Sequence, residues 1–274
     1  MKYGINTLLW TASFDASHLD LLPKIKEGGF DGVEIARFNF ENFPSIQIRR
    51  ALERNQLEPT FCTALTGQLS LASNDGKALA HLREAIHCAA DIGASVLAGP
   101  FCSAVGYLPG RRRTSDEWKR AIDGFQALIP TLEQTGVTLA VEPLNRFETF
   151  FLNTSEDARR LCDAVGHPRV GVLFDTFHAN IEEKSIGAGL LALGRHLKHV
   201  HASENDRGIP GSGHVAWSEL RDALRQLNYD GWLVIESFGF AIPEIATAAC
   251  IWRDLAPTPD AIAYEGLRFL KRTI

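Results

Sequence analysis

The sequence is poor in the features that mark several large classes of protein. No stretch approaches the roughly 20 consecutive apolar residues that cross a bilayer, so no membrane span is expected. Basic residues do not predominate: 28 Lys and Arg stand against 33 Asp and Glu, a net charge of −5. That balance leaves no basic field to draw the chain to nucleic acid or to an anionic membrane surface. The five cysteines (Cys62, Cys88, Cys102, Cys162 and Cys250) are odd in number, scattered and never in a C-x-x-C pair. Such a pattern argues against both a disulfide framework and a thiolate zinc site, and the thiols read as small buried hydrophobes in a reducing compartment. The opening MKYGINTLLW has one Lys, a short apolar run and no small-residue cleavage site, so it reads as a first strand. A soluble, cytoplasmic protein is expected. Glycine is also missing where a nucleotide-binding sheet would need it: the first strand runs into LLWTASFD, which argues against an open doubly wound fold.

What the chain does contain is a repeating alternation. Hydrophobic residues make up 45% and charged residues 22% of it, proportions that allow a sizeable core. Short β-branched or apolar runs alternate with longer segments of helical period, as in βα units around a parallel sheet. Eight strands are expected, over YGINTLLW (3–10), DGVEIARF (31–38), EPTFCTAL (58–65), ASVLAGPF (94–101), VTLAVEPL (137–144), RVGVLFDT (169–176), LKHVHAS (197–203) and GWLVIES (231–237). Between them lie amphipathic stretches such as 78–93 and 114–136. Helices are expected to end at Gly29, Gly93 and Gly136, where glycine takes the left-handed conformation, and the second long helix to open on Thr114 or Ser115. No linker or composition shift divides the chain, so residues 1–274 are expected to form a single (β/α)8 TIM barrel, a size that α/β barrels of about 250 residues commonly reach.

In such a barrel the chemistry sits at the C-terminal ends of the strands. Alternate residues of a strand share a face, so Ala140 and Glu142 point the same way, as do Gly171, Leu173 and Asp175, and Trp232, Val234 and Glu236. His199 and His201 share a face of the seventh strand. Four consecutive strands thus deliver Glu142, Asp175, His201 and Glu236 to one end of the barrel. Three carboxylates in a small volume would repel, and burial would favour their protonation, unless a cation sat among them. Oxygen-rich ligands with one imidazole suit Mn²⁺, Mg²⁺ or Co²⁺ better than a thiolate-seeking ion.

At these residues the chain resembles the D-tagatose 3-epimerase, D-psicose (allulose) 3-epimerase and L-ribulose 3-epimerase family of the xylose isomerase-like TIM barrels. The resemblance spans essentially the whole chain and rests on AVEPLNRFE (140–148), LFDTFHANIEE (173–183), HVHASENDRGIPGSGHVAW (199–217), VIESF (234–238) and the ending CIWRDLAPTPDAIAYEGLRFLK (250–271). It implies one divalent ion per subunit held by Glu142, Asp175, His201 and Glu236, Mn²⁺ first, with Co²⁺ or Mg²⁺ as alternatives. It also implies that Glu142 and Glu236 act as the acid–base pair, and that Glu148, His178 and Arg207 bind the sugar. The activity implied is metal-dependent inversion at C3 of free ketohexoses or ketopentoses through a cis-enediolate, by a homodimer or homotetramer with no nucleic-acid or membrane partner. The chemistry suits the residues: a proton beside a ketone needs stabilisation of the enediolate, and inversion needs a base on one face of C3 and an acid on the other. Glu34 and His199 are expected in supporting positions.

Some positions depart from relatives. Asn6 stands where several carry an aromatic residue, although Trp10 and Phe14 are retained, and Val105 stands where others carry a bulky aromatic, with Tyr107 nearby. The glycine-rich GIPGSGH (208–214) lacks the phosphate-loop pattern, and the run Arg111–Arg113 is expected on a solvated loop. The apolar segment 240–252 could serve an interface or complete the core. Three other functions are weighed. An aldose–ketose isomerase of the hydroxypyruvate isomerase type would use similar residues, and a non-catalytic sugar- and metal-binding barrel would bind without turnover. An endonuclease IV-like enzyme would need more zinc ligands and a basic groove than the sequence offers.

Overall fold

The expected alternation of strands and helices is what the computed structural model shows, over residues 1–73 and 76–274. The strands are β1 (Lys2–Asn6), β2 (Gly32–Ala36), β3 (Glu58–Cys62), β4 (Val96–Gly99), β5 (Thr138–Val141), β6 (Val170–Asp175), β7 (Leu197–Ala202) and β8 (Trp232–Ile235). Each pairs in parallel with its sequence neighbours and β8 closes on β1, giving one eight-stranded barrel. The helices are α1 (Leu21–Glu27), α2 (Ser45–Asn55), α3 (Lys77–Ile92), α4 (Ser115–Thr135), α5 (Ser155–Val165), α6 (Thr176–Glu182), α7 (Ile186–Leu193), α8 (Trp217–Gln226), α9 (Pro243–Ala248) and α10 (Pro259–Thr273).

All eight expected strands are present, each shorter than the apolar run that announced it. Part of the surplus, such as residues 7–10, 63–65 and 142–144, follows the strands and leaves the ladder at the C-terminal end of the barrel. The helix signals hold in most cases: Gly93 and Gly136 cap α3 and α4 in the left-handed conformation, and Thr114 caps α4 in a capping box with Glu117. At α1 the C-cap is Gly28, and Gly29 follows it with φ +95°.

Two apolar layers hold the barrel. Outward-facing strand residues such as Ile5, Phe61, Leu139, Val172 and Leu233 pack with the helices in one large cluster. Inward-facing Val96, Ala98, Ala140, Leu173, Trp232 and Val234 form a separate buried cluster that fills the bore. The bore is therefore packed, and the polar residues one step further along the same strands sit on an apolar floor. Among the described residues no helix is long and apolar enough to cross a membrane.

Candidate active site

Glu142 follows directly on β5, and its N–H donates to the carbonyl of Gly99 at the end of β4, at 2.9 Å. Gly99 has φ +143°, and a Cβ there would meet the Thr63 carbonyl oxygen. Only glycine lets the backbone pass this close while presenting that carbonyl to Glu142. Pro143 then restricts Glu142 to an extended conformation. Asp175 is both the last residue of β6 and the N-cap of α6, its Oδ1 accepting the Phe177 N–H at 2.7 Å. Strand passes into helix without a loop, and His178 arrives at the mouth within the first helical turn.

Ligand atoms of Glu142, Asp175, His201 and Glu236 all lie within 4.8 Å of one another, and all four residues are buried. In this cluster Glu142 Oε1 and His201 Nδ1 are buried without a hydrogen-bond partner among the described residues. Unpartnered buried polar atoms are costly, and a divalent cation would satisfy both. The donor set of three carboxylates and one imidazole fits such an ion.

The tautomer of His201 agrees. Its Nε2 lies 2.8 Å from Glu34 Oε1, so Nε2 carries the proton and Nδ1 is left as the ligand atom. Glu34 is wholly buried on β2, and His199 Nε2 also lies 2.8 Å from its second oxygen, Oε2. Burial would raise the Glu34 carboxyl, but His201 and His199 hold it well below the usual carboxylate range. This carboxylate beneath a ligating histidine is the arrangement that orients metal ligands in general.

Glu142 and Glu236 are pushed apart in acidity. Burial, reinforced by the Glu236 carboxylate, raises Glu142 well above the carboxylate range. Burial acts on Glu236 too, but His201 and Arg207 outweigh it and hold Glu236 below that range. Before any cation binds, one glutamate favours the proton and the other favours the charge, which is how acid and base are divided between two carboxylates.

Arg207 is buried, with φ +66°. Its Nη1 donates to Asp175 Oδ2 at 2.7 Å, Ser203 Oγ at 2.9 Å and Glu236 Oε2 at 3.0 Å, and its plane lies over Phe177. His178 Nδ1 accepts the Asn145 backbone N–H at 3.1 Å, which puts the ring proton on Nε2. Burial and then Arg207 hold His178 well below its ordinary pKa, so the ring is neutral. Its Nε2 is 3.1 Å from Arg207 Nη2. Two N–H donors so close together at the edge of the cavity could converge on one acceptor, such as a sugar oxygen. Glu148 does not cap the next helix, which Thr154 caps. Instead its Oε1 accepts from Asn145 Nδ2 at 2.8 Å and it lines the mouth.

These residues surround a cavity of about 250 Å³. Its polar end is Glu142, Glu148, His178, Arg207 and Glu236. Its other walls are apolar and include Leu8, Phe38, Val105, Phe238 and, from α9 and its end, Ile245 and Ala249. The segment 240–252 thus roofs the cavity, with Ala246 and Ile251 buried beneath it. Trp10 and Phe14 do not line it: Trp10 Nε1 donates to Asp260, and Phe14 lies in the outer core.

Several residues went unassigned in the sequence. Asn145 fixes both Glu148 and His178, and only its place inside NRFE hinted at it. Glu204 accepts from the N–H groups of Asn205, Gly211 and Val215 and from Trp217 Nε1. It thereby fills the glycine-rich loop with a carboxylate of the chain itself, which leaves that loop no cradle for phosphate. The arginine run lies on a loop with Arg111 and Arg112 exposed, as expected, but two of its members also hold partners. Arg111 makes two bonds to Glu117, while Arg113 makes two to Asp157 and stacks on Trp118. These arginines tie α4 and α5 to the loop, because a carboxylate in the first turn of each helix offers a matching fork.

The model of the xylose isomerase-like TIM barrel family matches residues 22–273. A protein of Synechocystis sp. named a probable ketose 3-epimerase is 39% identical over 277 residues, covering 100% of this chain and 96% of its own length. The chain belongs to the xylose isomerase-like TIM barrels, in their ketose 3-epimerase branch. A second member of the branch, the D-psicose 3-epimerase of Enterocloster bolteae, is 30% identical over 94% of this chain and 89% of its own. The D-allulose 3-epimerase from Methylomonas sp., solved in complex with D-allulose, superposes with a TM-score of 0.95 at 27% identity, covering 100% of this chain and 97% of that one. By family the protein is an isomerase, of the epimerase kind.

Proposed function

We propose that the protein is a metal-dependent ketose 3-epimerase that inverts C3 of free ketohexoses or ketopentoses, of the D-tagatose, D-psicose/D-fructose or L-ribulose type. Residues 1–274 act as one domain, in the cytoplasm. The observation that carries this reading is the buried set Glu142, Asp175, His201 and Glu236, with Glu142 Oε1 and His201 Nδ1 left unpartnered. A divalent cation held there, Mn²⁺ first and Co²⁺ or Mg²⁺ as alternatives, would supply Lewis-acid stabilisation of the charge that develops on the sugar oxygens.

The rest of the chemistry belongs to side chains. Glu142 and Glu236 come from strands β5 and β8, so they reach C3 from opposite sides. One removes the C3 proton to give the cis-enediolate and the other returns a proton to the opposite face, with the roles exchanged for the other epimer. His178 and Arg207 grip the oxygens near C1 and C2 through their converging N–H groups, and Glu148 accepts from a neighbouring hydroxyl. Among the described residues Arg207 is the one Lys or Arg lining the cavity, and it is bonded to Asp175 and Glu236. No free cation among them awaits a phosphate, which favours an unphosphorylated sugar. Phe240 and Trp252, 50% and 68% exposed, offer apolar surface for a homodimer or homotetramer.

The test is NMR of a ketohexose or ketopentose incubated with enzyme and Mn²⁺ in D₂O. Deuterium entering at C3, with the C3 epimer appearing, is the expected result. Deuterium at C1 with an aldose product would overturn it in favour of an aldose–ketose isomerase, and sugar binding without exchange would favour a non-catalytic barrel.

A further inference from the structure

Beneath the carboxylate cluster lies a polar contact that the proposed chemistry leaves unexplained. Asn6 is the last residue of β1 and only 1% exposed. Its Oδ1 accepts the Leu8 N–H at 2.9 Å and so caps the short turn over residues 7–9. That bond fixes the sense of the amide: the oxygen faces the turn, and the NH₂ faces the bore. There Nδ2 donates to Glu34 Oε1 at 2.9 Å and lies 3.4 Å from Glu236 Oε1.

One acceptor, Glu236, belongs to the proposed acid–base pair, and the other, Glu34, supports His201. Glu34 Oε1 is also the oxygen against His201 Nε2, while Thr60 Oγ1 donates to Glu34 Oε2 at 3.0 Å. The other oxygen of Glu236 is held by Arg207. Arg207 sits on a loop, whereas Asn6 ends the first strand and its amide is held at one end by Leu8 of the following turn and at the other by Glu34 of β2. Among the described residues the Asn6 amide is the one hydrogen-bond donor to Glu236 Oε1. Without it that carboxylate could turn about its last torsion, and a group that transfers a proton loses rate steeply when it leaves its productive orientation.

We propose that Asn6 is a positioning residue: through Nδ2 it holds Glu236 and the Glu34–His201 pair in one register, so that Glu236 keeps its aim at C3 during proton transfer. The proposal rests on the reading of Glu236 as one of the acid–base pair.

Two variants separate this role from that of a cap. Asn6→Ser keeps a good N-cap acceptor but is too short to reach Glu236, and Asn6→Ala lacks both functions. The Mn²⁺-loaded enzyme is assayed with a ketohexose and its C3-deuterated form. Both variants are expected to lose kcat by about tenfold with KM within about twofold, the signature of an interaction made in the transition state. Both should also raise the primary deuterium isotope effect on kcat, because proton transfer becomes more rate-limiting. Both should lower Tm through loss of the bond to buried Glu34, Asn6→Ala by more because it also loses the cap. Asn6→Ser with kcat and isotope effect like the wild type overturns the proposal and leaves Asn6 as a cap. Should Asn6→Ser not fold, Asn6→Thr, another short N-cap residue, is read by the same criteria. Glu236→Gln is measured alongside. If it stays active, the acid–base reading fails; if it is inactive while Asn6→Ser is unimpaired, only the Asn6 proposal fails.

Discussion

At the scale of single residues, the proposed chemistry separates groups that bind from groups that move protons. Glu236 is bonded to Arg207 through Oε2 and lies beside His201. Replacing it by Gln keeps the shape and the bond from Arg207 but removes the charge and the basicity. Glu236→Gln is therefore expected to lower epimerisation by at least about 10²-fold, the lower end of what general acid–base catalysis contributes, while equilibrium binding of ketose persists. Turnover by polarimetry and binding by calorimetry check the two halves, and undiminished epimer formation would remove Glu236 from the acid–base pair. His178→Ala should differ in kind. It removes a neutral N–H donor that faces the sugar, so it should raise KM by more than it lowers kcat.

At the scale of elements, the strands were legible and the connections were not. Each strand was announced by an apolar run, and period 2 alone placed Glu142, Asp175, His201 and Glu236 on the inner face at or just beyond the ends of β5 to β8. Loops carry no such period. Glu204 and Asn145 act through backbone N–H groups and neighbouring side chains that come together only when the chain turns, so nothing in their spacing declared them. The contacts of the arginine run were hidden for the same reason: Glu117 lies 6 residues from Arg111 and Asp157 lies 44 from Arg113, and they meet only after α4 and α5 pack. The loop after β7 shows what such hidden contacts do. Glu204 takes four donors and holds the segment that presents Arg207, whose own N–H bonds to the Glu204 carbonyl. Gly211, at φ +91°, brings its N–H to 2.7 Å from Glu204 Oε2 and sits where a Cβ would strike Phe269. Glu204→Gln turns an amide NH₂ toward donors that need an acceptor. Each donor so stranded costs about 1–3 kcal/mol. The expected outcome is a denaturant midpoint lowered by a loss of at least about 2 kcal/mol, together with a raised KM as Arg207 loosens. A variant as stable as the wild type would show that the loop is held by other contacts.

At the scale of the whole molecule, the cluster ties stability to cation and to pH, with a sign fixed by the shifts. Glu142 is raised in the folded chain, by burial and then by Glu236. The folded state without cation thus keeps a proton that the unfolded chain has released, and its stability falls as pH rises from the ordinary carboxylate range toward the raised value. His201 is also raised: burial opposes its charge, but Glu236 and Glu34 prevail. Its contribution is present below the unfolded imidazole pKa and is lost as pH climbs through the folded one. Glu236, held low, acts in the opposite sense, and its contribution fades only as pH falls through its depressed value. His178 and His199, both held low by burial, oppose the first two groups, since they favour the folded state as pH rises through the unfolded imidazole value. A divalent ion in the cluster has to displace the protons of Glu142 and His201, so it binds more tightly as they leave. At about 100 times its dissociation constant an ion binding only the folded state adds about 2.7 kcal/mol, or roughly 5–10 °C in Tm for a chain of this size. The gain in Tm on adding Mn²⁺ to chelator-treated protein should therefore be larger at about pH 7.5 than at about pH 5.5. Differential scanning calorimetry at the two values decides the matter, because a gain that is equal, or larger at the acidic value, would mean that the ion binds somewhere other than among Glu142, Asp175, His201 and Glu236.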